Sequence, residues 1–132
     1  MEEVITSIAR YLIIKRLSND VVALLAVKEY LIDGEPPSVI AFKYKISKFK
    51  VRGYIQRVID KAGNYRVAVK VVESLYPYIM SIEPIMLRSG SRMICTICNT
   101  YVRINEDEQH IRKKHKDLLN ELIRSMVARL KH

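Results

Sequence analysis

The sequence predicts a mainly α-helical chain with little β structure, and three observations carry that prediction. Apolar residues recur at helical spacing in Glu2–Leu17, in Lys48–Ala62 and again over 118–130. Helix start and stop signals separate these stretches, among them Asp20, Ser47 and the pair Gly63 and Asn64. Only a short valine-rich stretch (66–73) and a partly extended connector (74–93) interrupt the helical reading. At 132 residues and 15.4 kDa the chain makes one ordinary domain, or two small ones sharing a core. Apolar residues are 49% of it, which argues against intrinsic disorder. No apolar run approaches the roughly 18 residues of a membrane span. Glu2 and Glu3 stand where a secretory leader would be basic. A soluble, intracellular, cytoplasmic protein is the expectation.

Taken in order, the first element is an N-terminal amphipathic helix (1–17), with Val4, Ile5, Ile8, Ala9 and Leu12 on its stripe. Ser18, Asn19 and Asp20 offer capping oxygens for a second helix over 21–32, which stops at Asp33 and Gly34. Pro36 and Pro37 disfavour helix just before them, and Ser38 can cap a short third helix over 39–46. Ser47 caps a fourth, whose stripe is Val51, Ile55, Val58, Ile59 and Ala62. Gly63 and Asn64 tolerate the left-handed conformation that ends it. Residues 66–73 (RVAVKVVE) alternate Val67, Val69 and Val71 and read as a strand, although Ala68, Val71, Val72 and Leu75 also fit a helix. Residues 74–93 hold Pro77, Pro84 and the run Ser89, Gly90, Ser91, and read as a partly extended connector.

Charge narrows the class of partner. The net charge is +9, and residues 34–73 hold nine basic and three acidic residues against four and five over 1–33. Six basic residues and no acidic one fall between positions 43 and 57. A localised basic patch suggests a polyanion, most often nucleic acid. With Val51, Ile55, Val58 and Ile59 facing the core, the opposite face of the fourth helix carries Phe49, Arg52, Gly53 and Gln56. Ser47, Lys48, Lys50 and Arg57 flank that face. Long donors there can reach base edges in the major groove, and the lysines can reach phosphates. The plainer alternative is an amphipathic surface helix that is basic for solubility.

The stretch SVIAFKYKISKFKVRGYIQRVIDKAG (38–63) resembles the core of a winged helix-turn-helix DNA-binding domain. Ala41 stands at the small position where two helices cross, and Ile46, Val51 and Ile55 stand at the packing positions. The resemblance implies a domain over 18–73, with 66–73 as its candidate wing. Lys45 departs from the pattern, because glycine is usual there, and a longer turn is expected.

A second constellation is sharper. Cys95, Cys98, His110 and His115 read C-x2-C-x11-H-x4-H and include both cysteines of the chain. Two cysteines on a turn and two histidines on one helix face can close a tetrahedron around zinc. This segment (94–116) resembles a ββα-type two-cysteine, two-histidine zinc finger. Its middle spacer is one residue short, Val102 stands where an aromatic is usual, and Asp107 stands where a leucine is usual. Its core must therefore draw on Ile94, Val102, Ile104 and Ile111, or lean on the rest of the chain. Glu106, Asp107, Glu108 and Gln109 occupy the positions where such fingers read bases, and three carboxylates there repel phosphate. The expected role is structural: one zinc ion per chain with no open position for catalysis. No phosphate loop or nucleophile elbow is present, and no enzymatic activity or small-molecule substrate is expected.

The last segment (117–132) continues from the finger helix without a breaker as an amphipathic helix, with Leu118, Leu119, Leu122, Ile123, Met126, Val127 and Leu130 apolar. That stripe needs a partner, either a second copy in a homodimer or the chain's own first helix. Together these features resemble small archaeal or archaeal-virus transcription regulators. The reading is a sequence-specific double-stranded DNA-binding protein, with a protein-interaction scaffold and a non-specific architectural or replication accessory as the alternatives.

Overall fold

Asp20, Ser47 and Asn64 each turn a side-chain oxygen onto the backbone N–H three residues ahead, at 3.3, 3.0 and 2.9 Å, and a helix starts after each. The computed structural model describes residues 1–130. Lys131 and His132, the end of the predicted last helix, lie outside the described residues. Five helices come first: α1 (Glu2–Leu17), α2 (Val21–Leu31), α3 (Pro37–Tyr44), α4 (Lys48–Ala62) and α5 (Tyr65–Met80). An antiparallel sheet follows, in the order β1 (Met86–Ser89), β2 (Arg92–Cys95), β3 (Thr100–Arg103). A 3-10 turn (Ile104–Glu106) leads into α6 (Asp107–Lys114), and α7 (Lys116–Leu130) ends the described chain. The mainly helical expectation holds, with one small sheet.

α1 is the centre of the core. It packs against α2, α4, α5, α6 and, most extensively, α7. Ile8, Ala9, Leu12, Ile13 and Leu17 are all buried there. α2, α3 and α4 pack on one another, and α3 and α4 are joined by only three residues, Lys45, Ile46 and Ser47. The longer turn expected from Lys45 is therefore not found. Lys45 itself takes the left-handed conformation, with φ +56°, and its N–H closes the turn on the Ala41 carbonyl. Helix α3 begins at Pro37, whose fixed φ suits the first turn, so Ser38 lies inside the helix and not at its cap.

Residues 66–73 are helical, not a strand, and no wing follows α4 at that place. Ala68, Val71, Val72, Leu75 and Ile79 form a fully buried stripe, whereas strand alternation would have buried Val67 and Val69, which stay half-exposed. Tertiary burial of that stripe outweighs the weak helix propensity of valine. α5 runs to Met80 through Pro77, so the first part of the expected connector is helix.

The rest of the connector supplies the first strand of the sheet that carries Cys95. β1 pairs with β2 across the two-residue turn Gly90 and Ser91, and Gly90 takes the positive φ (+63°) such a hairpin requires. Met86, Met93, Val102 and Ile111 are buried in this part, so its core uses two of the four expected residues, and Ile94 and Ile104 are only partly covered. It also leans on the helices: the Ile85 N–H donates to the Leu17 carbonyl at 3.0 Å, and Arg16 donates to the carbonyls of Ile82 (2.8 Å) and Met80 (3.1 Å).

The tail is broken where continuity was expected. α6 ends at Lys114, and His115 leaves the helical conformation (φ −126°, ψ 35°) before α7 begins. The buried stripe of α7 is Leu119, Ile123, Met126 and Val127, and it is covered by α1 of the same chain. Of the two partners open to that stripe, the intrachain one is in place. No described helix is long and apolar enough to cross a membrane.

Candidate metal centre and nucleic-acid interface

The metal centre is assembled from three local devices. Cys95 ends β2, and the Asn99 N–H donates to the Cys95 carbonyl at 2.8 Å, with Asn99 in the left-handed conformation at φ +59°. That turn brings Cys98 back beside Cys95. His110 projects from α6. His115 is five residues further on, about 140° around a regular helix and so on a different face. The break after Lys114 solves this, because His115 can swing back once it is free of the helix. The histidines thus do not share a helix face as expected. One is on α6, and the other is at its C-cap.

The four ligand atoms all lie within 4.8 Å of one another. His115 Nε2 is 3.2 Å from each of the two sulfurs, and His110 Nε2 is 3.7 Å from Cys98 Sγ. Cys95 and His115 are buried, whereas Cys98 is exposed. Desolvation and then the neighbouring Cys95 push the Cys98 thiol pKa up, while burial and then His110 push that of His115 down. Two sulfurs and two imidazole nitrogens in this arrangement could bind one metal ion. A neutral imidazole is the ligating form, so the lowered pKa favours metal binding, and a bound cation would favour the thiolates.

The carboxylates at the start of α6 turn inward to the helical core. Glu108 Oε2 accepts from Lys15 Nζ at 2.6 Å, and Lys15 also lies 3.6 Å from Asp20. Lys15 is only 6% exposed, and its ammonium sits 5.4 and 5.5 Å from the ring centres of Tyr11 and Tyr54. Half-buried Asp107 has its pKa raised, chiefly by desolvation. Lys15 thereby ties α6, which carries His110, to α1 and to the inner side of α4. In a double-mutant cycle, Lys15→Met with Glu108→Gln should show coupling of about 0.5–3 kcal/mol. Additive thermal shifts would mean that the pair does not join the two parts.

The face of α4 is arranged largely as expected. Phe49, Arg52 and Gln56 are exposed, Gly53 is half-exposed, and Val51, Ile55 and Val58 are buried behind them. Phe49, Arg52, Gly53 and Gln56 line one shallow concavity of about 700 Å³ with Tyr30, Pro37, Ile55 and Ile59. Lys48 and Lys50 are exposed beside it, and Ser47 caps the helix. Among the described residues no carboxylate pairs with Lys45, Lys48, Lys50 or Arg52. Two expected residues are otherwise engaged. The Gln56 amide donates to Asp60 at 2.7 Å, and Arg57 lies by the Tyr11 hydroxyl, whose pKa burial pushes up to about 12.

Several residues that shape this region were not anticipated. Tyr54 is a core residue of α4, and Glu29, buried on α2, accepts from Lys43 at 2.7 Å and from the Tyr44 hydroxyl, fixing α3 against α2. The acidic start of α6 was visible in the sequence, but the partner of Glu108, Lys15, 93 residues away, was not. No family model, curated protein or solved structure matches the chain.

Proposed function

We propose that the protein binds double-stranded DNA sequence-specifically as a transcription regulator, with α3 and α4 as its helix-turn-helix and α4 as the recognition helix. The observation that carries this reading is the outer face of α4. It combines Arg52, Gln56 and an exposed Phe49 in one concavity next to a three-residue turn, with Lys48 and Lys50 exposed and without a carboxylate partner on the same helix. Gly53 supports it. A β-carbon there would meet nothing within 4 Å, so packing gives no reason for a glycine in mid-helix. A helix pressed into a groove does give one. Gly53→Ala is expected to stabilise the fold by on the order of 1 kcal/mol and to weaken DNA binding. Thermal melts and titrations on one preparation check both, and unchanged DNA affinity would count against the groove-facing role.

In this reading the metal is zinc, bound once per chain by Cys95, Cys98, His110 and His115. Tetrahedral zinc places sulfur and nitrogen ligands about 3.5 Å apart, close to the separations of 3.2 and 3.7 Å. Four protein ligands give a closed cross-link, and the role is structural, not catalytic. Pairing of two copies, which would set two α4 helices on two half-sites, is part of the proposal. It no longer draws on the buried stripe of α7. What supports it is an apolar groove of about 430 Å³ where half-covered Leu118 and Leu122 meet Tyr78, Ile82 and exposed Ile97.

Selection from a random duplex pool at about 0.15 M salt, where non-specific contacts are weakened, tests the whole. An enriched motif is expected, palindromic if two copies act together. Retained duplex without a motif would replace sequence reading by backbone binding, and no retained duplex would remove DNA as the partner.

A further inference from the structure

The chain has two phenylalanines, and neither is in the core. Phe42 on α3 and Phe49 on α4 are 89% and 88% exposed, more than any other large apolar side chain among the described residues. They lie on either side of the turn between α3 and α4, in a run from 36 to 59 that contains no acidic residue. Phe49 is the second residue of α4, between Lys48 and Lys50. It lines the same concavity as Arg52, Gly53 and Gln56, which are three, four and seven positions further along the helix. The fold does not use this ring, and its surroundings favour a polyanion.

A phenyl group can neither donate nor accept a conventional hydrogen bond, so it cannot read a base edge as Arg52 or Gln56 can. The duplex offers one apolar group in its major groove, the 5-methyl of thymine. The first turn of a recognition helix is the part that meets base edges. Lysines on both sides of Phe49 would hold the phosphates that flank such a contact. We propose that Phe49 packs on the 5-methyl group of a thymine in the major groove, so that the target carries a T·A pair facing the first turn of α4. This rests on the DNA-binding reading above and adds to it a specificity that hydrogen bonding does not supply.

The test uses the full metal-loaded chain and duplexes recovered from the random pool, with thymines replaced by deoxyuridine one at a time and then together. That exchange removes the methyl and leaves every hydrogen-bonding group in place. One position is expected to weaken binding about fourfold, the effect of one buried methyl-sized group. Phe49→Ala, which removes an exposed side chain and leaves the core untouched, should bind the thymine and uracil duplexes equally. If the wild-type protein binds both alike at every position, or if Phe49→Ala keeps the wild-type ratio, the assignment is overturned while the DNA-binding reading stands. Tighter binding to the corresponding single strand would also overturn it, because the ring would then be stacking on unpaired bases. Failure to retain any duplex overturns both.

Discussion

Stripping the metal proposed for Cys95, Cys98, His110 and His115 is expected to unfold at least the segment from β1 to α7, with loss of helical signal and a melting temperature lower by roughly 10 °C or more. The buried apolar residues of the sheet region are few, chiefly Met86, Met93, Val102 and Ile111, so a metal held by the four clustered residues would be its main closure. Metal binding at such sites is worth on the order of 10–16 kcal/mol, comparable with or above the whole stability of a domain. The loss should not stay local. α6 holds Glu108 against Lys15, and α7 covers α1, so release of the centre exposes a buried lysine and an apolar stripe together. Cys95→Ser should reproduce the effect of a chelator, because Cys95 is fully buried and cannot be replaced by solvent. Metal analysis and thermal melts with and without chelator check this. Protein purified without metal, still folded and with both thiols freely alkylated, would refute the metal centre.

Arg52→Ala combined with Gln56→Ala should abolish most sequence preference and leave stability within about 0.5 kcal/mol, since both side chains are exposed. Each paired base contact is worth about 1–3 kcal/mol of discrimination, so the ratio of selected to scrambled affinity should fall by roughly 30-fold or more. Gln56 must first give up Asp60, a solvent-exposed bond that contributes little. Preference that survives the double change would remove α4 as the reader, whatever the affinity. Preference and affinity lost together, in a chain that no longer melts cooperatively, would report misfolding instead.

The helices and the ligand set were legible in the sequence because each is written locally. Ser47, Gly63 and the stripe of Val51, Ile55 and Val58 fix α4 within 17 residues, and the spacing of two cysteines and two histidines brings the ligands together. The misreadings lie where distant surfaces decide. Residues 66–73 satisfied both periods, and only the buried surface offered to Ala68, Val72 and Leu75 made them helix. The break at His115 is written by no glycine or proline. It brings His115 Nε2 to 3.2 Å from both sulfurs, a placement that a reading for helix breakers does not include. Strand β1 was missed because Gly90 and Ser91 were read as connector residues, when the same pair is a hairpin turn. The apolar stripe of α7 was recognised, but only the three-dimensional structure places α1 beneath it.

That pairing of α1 with α7 also bears on how the protein is made. The two helices lie about a hundred residues apart in the chain, yet α7 is the neighbour that α1 meets most extensively. On the ribosome α1 emerges well before α7 and must wait for about a hundred further residues before that apolar cover arrives. A nascent chain stalled before α7 would display an open greasy stripe, a natural mark for chaperone holding or for degradation. If the four clustered residues take up a metal as proposed, that step can be completed only after His115 has been made, immediately ahead of α7, so scarcity of the ion would be felt as failure to mature.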